Sequence, residues 1–151
     1  MKKVSIVLLM GLALTFSMNA QQLRVDETDE FTGSVKKFTE YYNLAKTSVG
    51  QLRGSVLRVD EYTFLRIYSS ADIGCSGAVG NYMTLLFSDG SNIKLEDLAD
   101  IDCADGAESM YDLSKLDLSK LTKIRLRQSE YYTDGVVYGT YSLQQLVNLT
   151  K

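Results

Sequence analysis

The chain has 151 residues, 45% of them hydrophobic, with 16 Lys+Arg against 19 Asp+Glu and no His. A net charge of −3 argues against a nucleic-acid partner, because phosphates require a cationic surface. It gives no reason to adhere to anionic lipid either. The absence of His removes the commonest general base and the usual partner of a nucleophilic Ser or Cys.

Residues 1–20 read as a secretory signal peptide, with Lys2 and Lys3 as the positive start, an apolar run over 4–18 and Ala20 before a cleavage point at Gln21. The apolar run is shorter than the ~20 residues a spanning helix needs, and no Cys follows it to carry a lipid. The expected product is exported to the periplasm or the exterior, with no stable membrane span after processing. Subtracting 20 from 151 leaves 131 residues, numbered 21–151, enough for a single β-rich domain with one core. Losing Lys2 and Lys3 leaves 14 cations against 19 anions, a net charge of −5.

Export also sets the reading of the two cysteines. Cys75 and Cys103 are an even pair in an oxidising compartment, so a disulfide is expected. Closing the loop they span would stabilise the fold by roughly 3–4 kcal/mol on the chain-entropy account. A thiol nucleophile or a zinc site would need His, and no cofactor or metal site is assigned.

In chain order, residues 21–33 read as a solvated polar entry segment in which Asp26, Glu27, Asp29 and Glu30 lie close together. Residues 35–44 read as a first strand, with a helix as competitor because Val35, Phe38 and Tyr42 also fit an i, i+3, i+7 spacing. A connection follows over 46–50. Residues 52–59 and 62–68 form a hairpin across Asp60 and Glu61, with Thr63, Leu65 and Ile67 on one face. A glycine-rich loop over 69–80 carries Cys75. Residues 82–87 and 92–95 alternate on either side of Asp89-Gly90, the strongest short-range hairpin signal available, and this hairpin is placed at the centre of the domain.

Residues 98–103 read as one more short strand, with Ala99, Ile101 and Cys103 on one side, and 104–109 as a turn. The tandem echo Asp112-Leu-Ser-Lys-Leu116, Asp117-Leu-Ser-Lys-Leu121 is too short for a solenoid and reads as a strand end followed by a helical turn. Residues 122–128 form an edge-type strand, Ile124 and Leu126 inward, Lys123, Arg125 and Arg127 outward, paired with 131–138. Ser142 and Gln145 suit the start of a terminal helix that buries Leu143, Leu146 and Val147. The fold class is therefore mainly β (α+β), an antiparallel sheet or sandwich built from hairpins with a C-terminal helix.

Three stretches, Asp-Glu-Phe-Thr-Gly at 29–33, Leu-Leu-Phe-Ser-Asp-Gly at 85–90 and Leu-Thr-Lys-Ile-Arg-Leu at 121–126, give the chain a family resemblance. It resembles small secreted β-rich domains of unknown function from Bacteroidetes. That resemblance implies export and a β-rich fold, and carries no activity or site residue.

All ten Tyr lie after residue 20. Tyr combines a rigid apolar face with a polar tip, which suits gripping a partner at little entropic cost, although it also suits half-buried strands generally. The reading is an exported, non-enzymatic binding or interaction module for an unidentified protein or glycan, in or near the envelope. Its binding residues are Tyr131, Tyr132, Lys123, Arg125 and Arg127. The alternatives are a carboxylate-based glycan hydrolase, which needs two acids across a cleft, and a structural envelope protein. Ser34 and Lys37 match Ser-x-x-Lys without its companion elements.

The acids Glu96, Asp97, Asp100, Asp102, Asp105 and Glu108 invite comparison with a Ca²⁺ loop. With Asp100 at position 1, Ala104 falls at 5, Gly106 lies one place late and Tyr111 falls at 12, so the EF-type pattern fails. An irregular Ca²⁺ site, a solvated acidic rim and pairing with the 123–127 ridge stay open. The intact mass of the protein from its native host should begin at Gln21 and take up alkylating agent only after reduction. Retention of Met1 with two free thiols would overturn the export reading.

Overall fold

The computed structural model describes residues 22–47, 51–69, 74–103, 108–129, 131–137 and 143–151. The expected signal peptide, the cap at Ser142 and the acid Asp105 lie outside those residues. Among the described residues, ten antiparallel strands form one sheet: β1 (Leu23–Thr28), β2 (Val35–Thr39), β3 (Tyr42–Thr47), β4 (Gln51–Val59), β5 (Tyr62–Ser69), β6 (Tyr82–Phe87), β7 (Asn92–Glu96), β8 (Glu108–Asp112), β9 (Leu121–Gln128) and β10 (Tyr131–Val137). The helix α1 (Leu143–Leu149) follows. The fold is mainly β with a short C-terminal helix, as the hairpin pattern indicates.

The main run of pairing is β7-β6-β9-β10-β3-β4-β5-β8. Its two ends come together, because the N–H of Leu98, just past β7, donates to the Met110 carbonyl of β8 at 2.8 Å. The sheet thus curls into a barrel-like closure. Its concave side is filled by alternate residues of each strand, as period-two geometry requires. Leu44, Leu52, Val56, Leu65, Ile67, Met83, Leu85, Tyr111, Ile124 and Leu126 are all at most 1% exposed. Leu143, Leu146 and Val147 of α1 join the same cluster, so the helix stripe read from the sequence is the stripe that is buried.

The two local hairpins fold as their sequences dictate. β4 pairs β5 across Asp60, and β6 pairs β7 across a turn in which Gly90 takes φ +84°, a conformation that L side chains rarely adopt. Gly54 has a different reason. A Cβ there would stand 2.8 Å from Leu44 Cδ2, so the missing side chain is what lets Leu44 lie across β4.

Five expectations about the strands need correction. Residues 23–28 are a strand and not a solvated arm, since β1 pairs β2 through a turn in which Asp29 accepts the N–H groups of Phe31 and Thr32. Its inward face is only half covered, which left too weak an alternation to read. The segment 35–44 is two strands, β2 and β3, taking successive halves of the same edge of β4. At the break, the Thr39 hydroxyl accepts the Val56 N–H at 2.9 Å where a backbone partner is missing. Residues 98–103 contain no strand but a single bridge between Ser76 and Asp102. Residues 108–109 belong to β8 and not to a turn. Finally, β9 is not an edge, because β10 lies on one side and β6 on the other.

The tandem echo forms no helical turn either. Each copy is a turn built on its Asp. Asp112 Oδ1 accepts from Ser114 N and Asp117 Oδ1 from Ser119 N, at 2.8 and 3.0 Å. In each copy the next Leu is buried, Leu113 and Leu118 both at 2% exposure. Three residues on, the N–H donates back to that Leu carbonyl. The repeat in sequence is a repeat in conformation.

Cys75 and Cys103 are joined in a disulfide, as expected from their pairing in number. Gly54→Ala should destabilise the fold by about 1–3 kcal/mol through the clash with Leu44. Leu118→Ala should cost about 2–5 kcal/mol through the lost burial and the cavity left behind. Chemical denaturation checks both, and a neutral result for either would remove the packing argument for that site.

Candidate functional site

The outward side chains of β7, β6, β9 and β10 stand in registered rows. One row runs Glu96–Tyr82–Arg127–Tyr132 and the next Lys94–Thr84–Arg125–Asp134. The third runs Asn92–Leu86–Lys123–Val136 and continues to Lys46 on β3. Antiparallel pairing places such neighbours within contact distance. These rows hold five cations (Lys46, Lys94, Lys123, Arg125, Arg127) against two carboxylates (Glu96, Asp134), an excess of three positive charges on a chain whose net charge is −3.

The first row is an aromatic clasp around a cation. Arg127 lies 5.7 Å from the ring centres of both Tyr82 and Tyr132 and donates from Nη1 to the Gly80 carbonyl at 2.6 Å. Lys94 Nζ sits 3.9 Å from the centre of the Tyr82 ring. The facing hydroxyls of this row influence each other, Tyr132 raising the pKa of Tyr82 and Tyr82 lowering that of Tyr132, with Arg127 adding to the lowering.

In the second row Arg125 grips Asp134 with two donors, Nε to Oδ1 at 2.6 Å and Nη2 to Oδ2 at 3.0 Å. Lys123 Nζ adds a third at 3.2 Å. Hydrogen bonds from Arg125, then Lys123, hold the Asp134 carboxyl down to about 2. Beside this cluster lies an open groove of about 320 Å³ lined by Thr84, Leu86, Asn92, Lys123, Arg125 and Asp134.

The residues expected to bind divide accordingly. Lys123, Arg125, Arg127 and Tyr132 share this face, as the alternation of β9 indicates. Tyr131 does not: it pairs with Gln128, whose side chain is buried, so it projects from the opposite face at the end of the sheet. Both tyrosines remain more than half exposed. Tyr82, Thr84 and Lys94 complete the face and were missed. Their place depends on β6 pairing with β9, and no local signal announces that contact.

Two acids of the 96–108 segment serve the fold. Asp97 accepts three backbone N–H groups, from Gly77, Ala99 and Met110. Glu108 accepts from Tyr41 and is ion-paired with Arg66. Burial and that hydrogen bond push the Tyr41 hydroxyl up to about 12. Among the described residues, the acid paired with Lys123 and Arg125 of the 123–127 ridge is Asp134. Ser34 donates its hydroxyl to Asp60 at 3.2 Å. Among the described residues, no group of three His, Cys, Asp or Glu is placed to hold a metal ion, and no helix is long and apolar enough to cross a membrane.

A second groove, of about 530 Å³, contains Asp26, Lys37, Arg58, Asp60, Thr150 and Lys151 among its lining residues. Two of its charged side chains are engaged locally. Arg58 donates to the carbonyls of Asp60 and Thr150, and Asp60 accepts from Val35 N at 2.8 Å. No family model matches the chain, and neither a curated protein nor a solved structure matches it.

The depressed Asp134 carboxyl yields a sign for its pH dependence. Its pKa is lower in the folded chain than the ordinary ~3.9, so the stabilisation is present above that value and is lost as pH falls through about 2. With Arg125 56% and Asp134 35% exposed, solvent screening keeps the pair's worth under ~1 kcal/mol. A carboxyl-carbon NMR titration should find the Asp134 midpoint near its low value, and Arg125→Ala should return it toward the ordinary range. An unchanged midpoint in the variant would show that Arg125 is not the cause.

Proposed function

We propose that the protein is an exported, non-enzymatic binding module that engages an anionic partner in the envelope through the outer face of β7, β6, β9 and β10. The observation that carries the reading is the segregation of charge: an acidic chain presents five cations in three aligned rows on one side of its sheet. Export is supported by the disulfide, which is favoured in oxidising compartments, and by the signal-like start of the sequence. The likeness to secreted Bacteroidetes domains points the same way.

The geometry favours binding over glycan hydrolysis. A glycosidase needs a carboxylic acid whose pKa is raised, facing a second carboxylate. The groove beside Arg125 has one carboxylate, and its cationic neighbours hold it ionised. In the second groove, which Asp26 and Asp60 both line, Asp60 accepts from the Val35 N–H and the Ser34 hydroxyl, which commits it to the β1–β2 hairpin.

The test is co-sedimentation of the purified protein with envelopes of its native host. Lys123→Glu/Arg125→Glu should lose at least tenfold in envelope binding, and raised salt should weaken wild-type binding, since exposed charge pairs are screened. Lys36→Glu, on the exposed part of β2, should bind as wild type does. Equal binding by wild type and the doubly reversed variant would remove this face as the binding surface.

A further inference from the structure

The groove at the centre of this face has a chemistry narrower than positive charge. Its cations stand on one wall, Lys123 and Arg125, with Asp134 between them. Thr84 and Asn92 bring a hydroxyl and an amide from β6 and β7, each able to donate and accept. Leu86, 38% exposed, supplies an apolar patch. Tyr132, 58% exposed, stands in the first row, next to the row that holds Asp134. At about 320 Å³ the groove is at the lower end of the ~300–1,000 Å³ usual for small-ligand sites.

Each feature excludes a class of ligand. A phosphate or sulfate would bring a dense negative charge against Asp134, which stays ionised. A neutral sugar would leave the cationic excess uncompensated. A purely apolar ligand would bury Arg125, Lys123 and Asn92 without partners, at a cost in desolvation. A ring bearing one carboxylate, several hydroxyls and an apolar C–H face meets all of these constraints. The carboxylate pairs with Lys123 and Arg125, the hydroxyls donate to Asp134 and exchange hydrogen bonds with Thr84 and Asn92, and the C–H face rests on Leu86.

We infer that this groove binds a carboxylated sugar residue within an acidic polysaccharide, with Lys123 and Arg125 reading the carboxylate and Asp134, Thr84 and Asn92 reading the hydroxyls. This rests on the binding-module reading above and names the chemistry of its partner. The groove's own two rows extend the same recognition to neighbouring residues of the polysaccharide, since Lys94 on β7 and Lys46 on β3 place a further cation at opposite flanks.

The experiment is calorimetric titration of the full chain, as purified from its native host, with an oligogalacturonate of defined length. Its methyl ester and sodium sulfate serve as comparison ligands. The acidic oligomer should bind, and methylation should weaken binding at least tenfold. Lys123→Ala/Arg125→Ala should weaken it by a similar factor, with an unchanged thermal midpoint showing that the fold is intact. Lys94→Ala, which touches no member of the Asp134 cluster, should weaken it several-fold and serves should the double variant misfold. Lys36→Ala should leave it unchanged.

Equal binding of the ester, equal binding of sulfate, or no binding of the acidic oligomer would each overturn the sugar assignment. If envelope co-sedimentation still depends on Lys123 and Arg125 in that case, only the sugar assignment falls. If that dependence is missing too, the binding face falls with it.

Discussion

Asp97 holds the molecule closed. It follows β7 immediately, and its carboxylate accepts N–H groups from Gly77 in the disulfide loop, Ala99 beyond β7 and Met110 in β8. A curled sheet leaves unpaired backbone donors wherever its ends meet imperfectly, and each would cost about 1–3 kcal/mol if buried without a partner. One carboxylate with two oxygens answers three of them. The Leu98–Met110 hydrogen bond and the Ser76–Asp102 bridge lie on either side, and the disulfide reinforces the same seam. With the ends joined, the inward residues of eight strands share a single core. The outward residues of β7, β6, β9 and β10 become a stable platform.

What could be read from the sequence and what could not divide by distance along the chain. The β4–β5 and β6–β7 hairpins are local, and their alternation and turn residues suffice. The β9–β10 pair and the α1 stripe of Leu143, Leu146 and Val147 are local as well. β1 escaped because its residues lie mostly exposed, so nothing in their pattern marks a face. β8 escaped because it is short and its two buried positions are Ser109 and Tyr111, one of them polar. The candidate site was half legible for the same reason. The cations of β9 stand out in a single strand, whereas Tyr82, Thr84 and Lys94 join them only through the pairing of β6 with β9. Tyr131 was grouped with Tyr132 by proximity in sequence, although period-two geometry sends neighbours to opposite faces.

The face also shows how an acidic protein can hold a basic surface without losing its own stability. Its cations are partly neutralised in place: Arg127 by two aromatic rings and a carbonyl, Arg125 and Lys123 by one aspartate. Exposed pairs of this kind contribute little to folding. Their larger effect is geometric, because they fix long, flexible side chains in rows before a partner arrives and so reduce the ordering that binding would otherwise require.

The split edge of β4 has a further consequence, for the order in which the structure comes apart. β1 hangs on β2 alone, and β2 is registered with β4 through Lys36, Lys37 and Phe38. β3, on the rest of that edge, is also held by β10 and so belongs to the closed sheet. The first hairpin can therefore lift away without breaking the closure, uncovering Phe38, Thr39 and the outer side of β4 while the core stays shut. Local opening of this kind is a separate unit of stability from global unfolding.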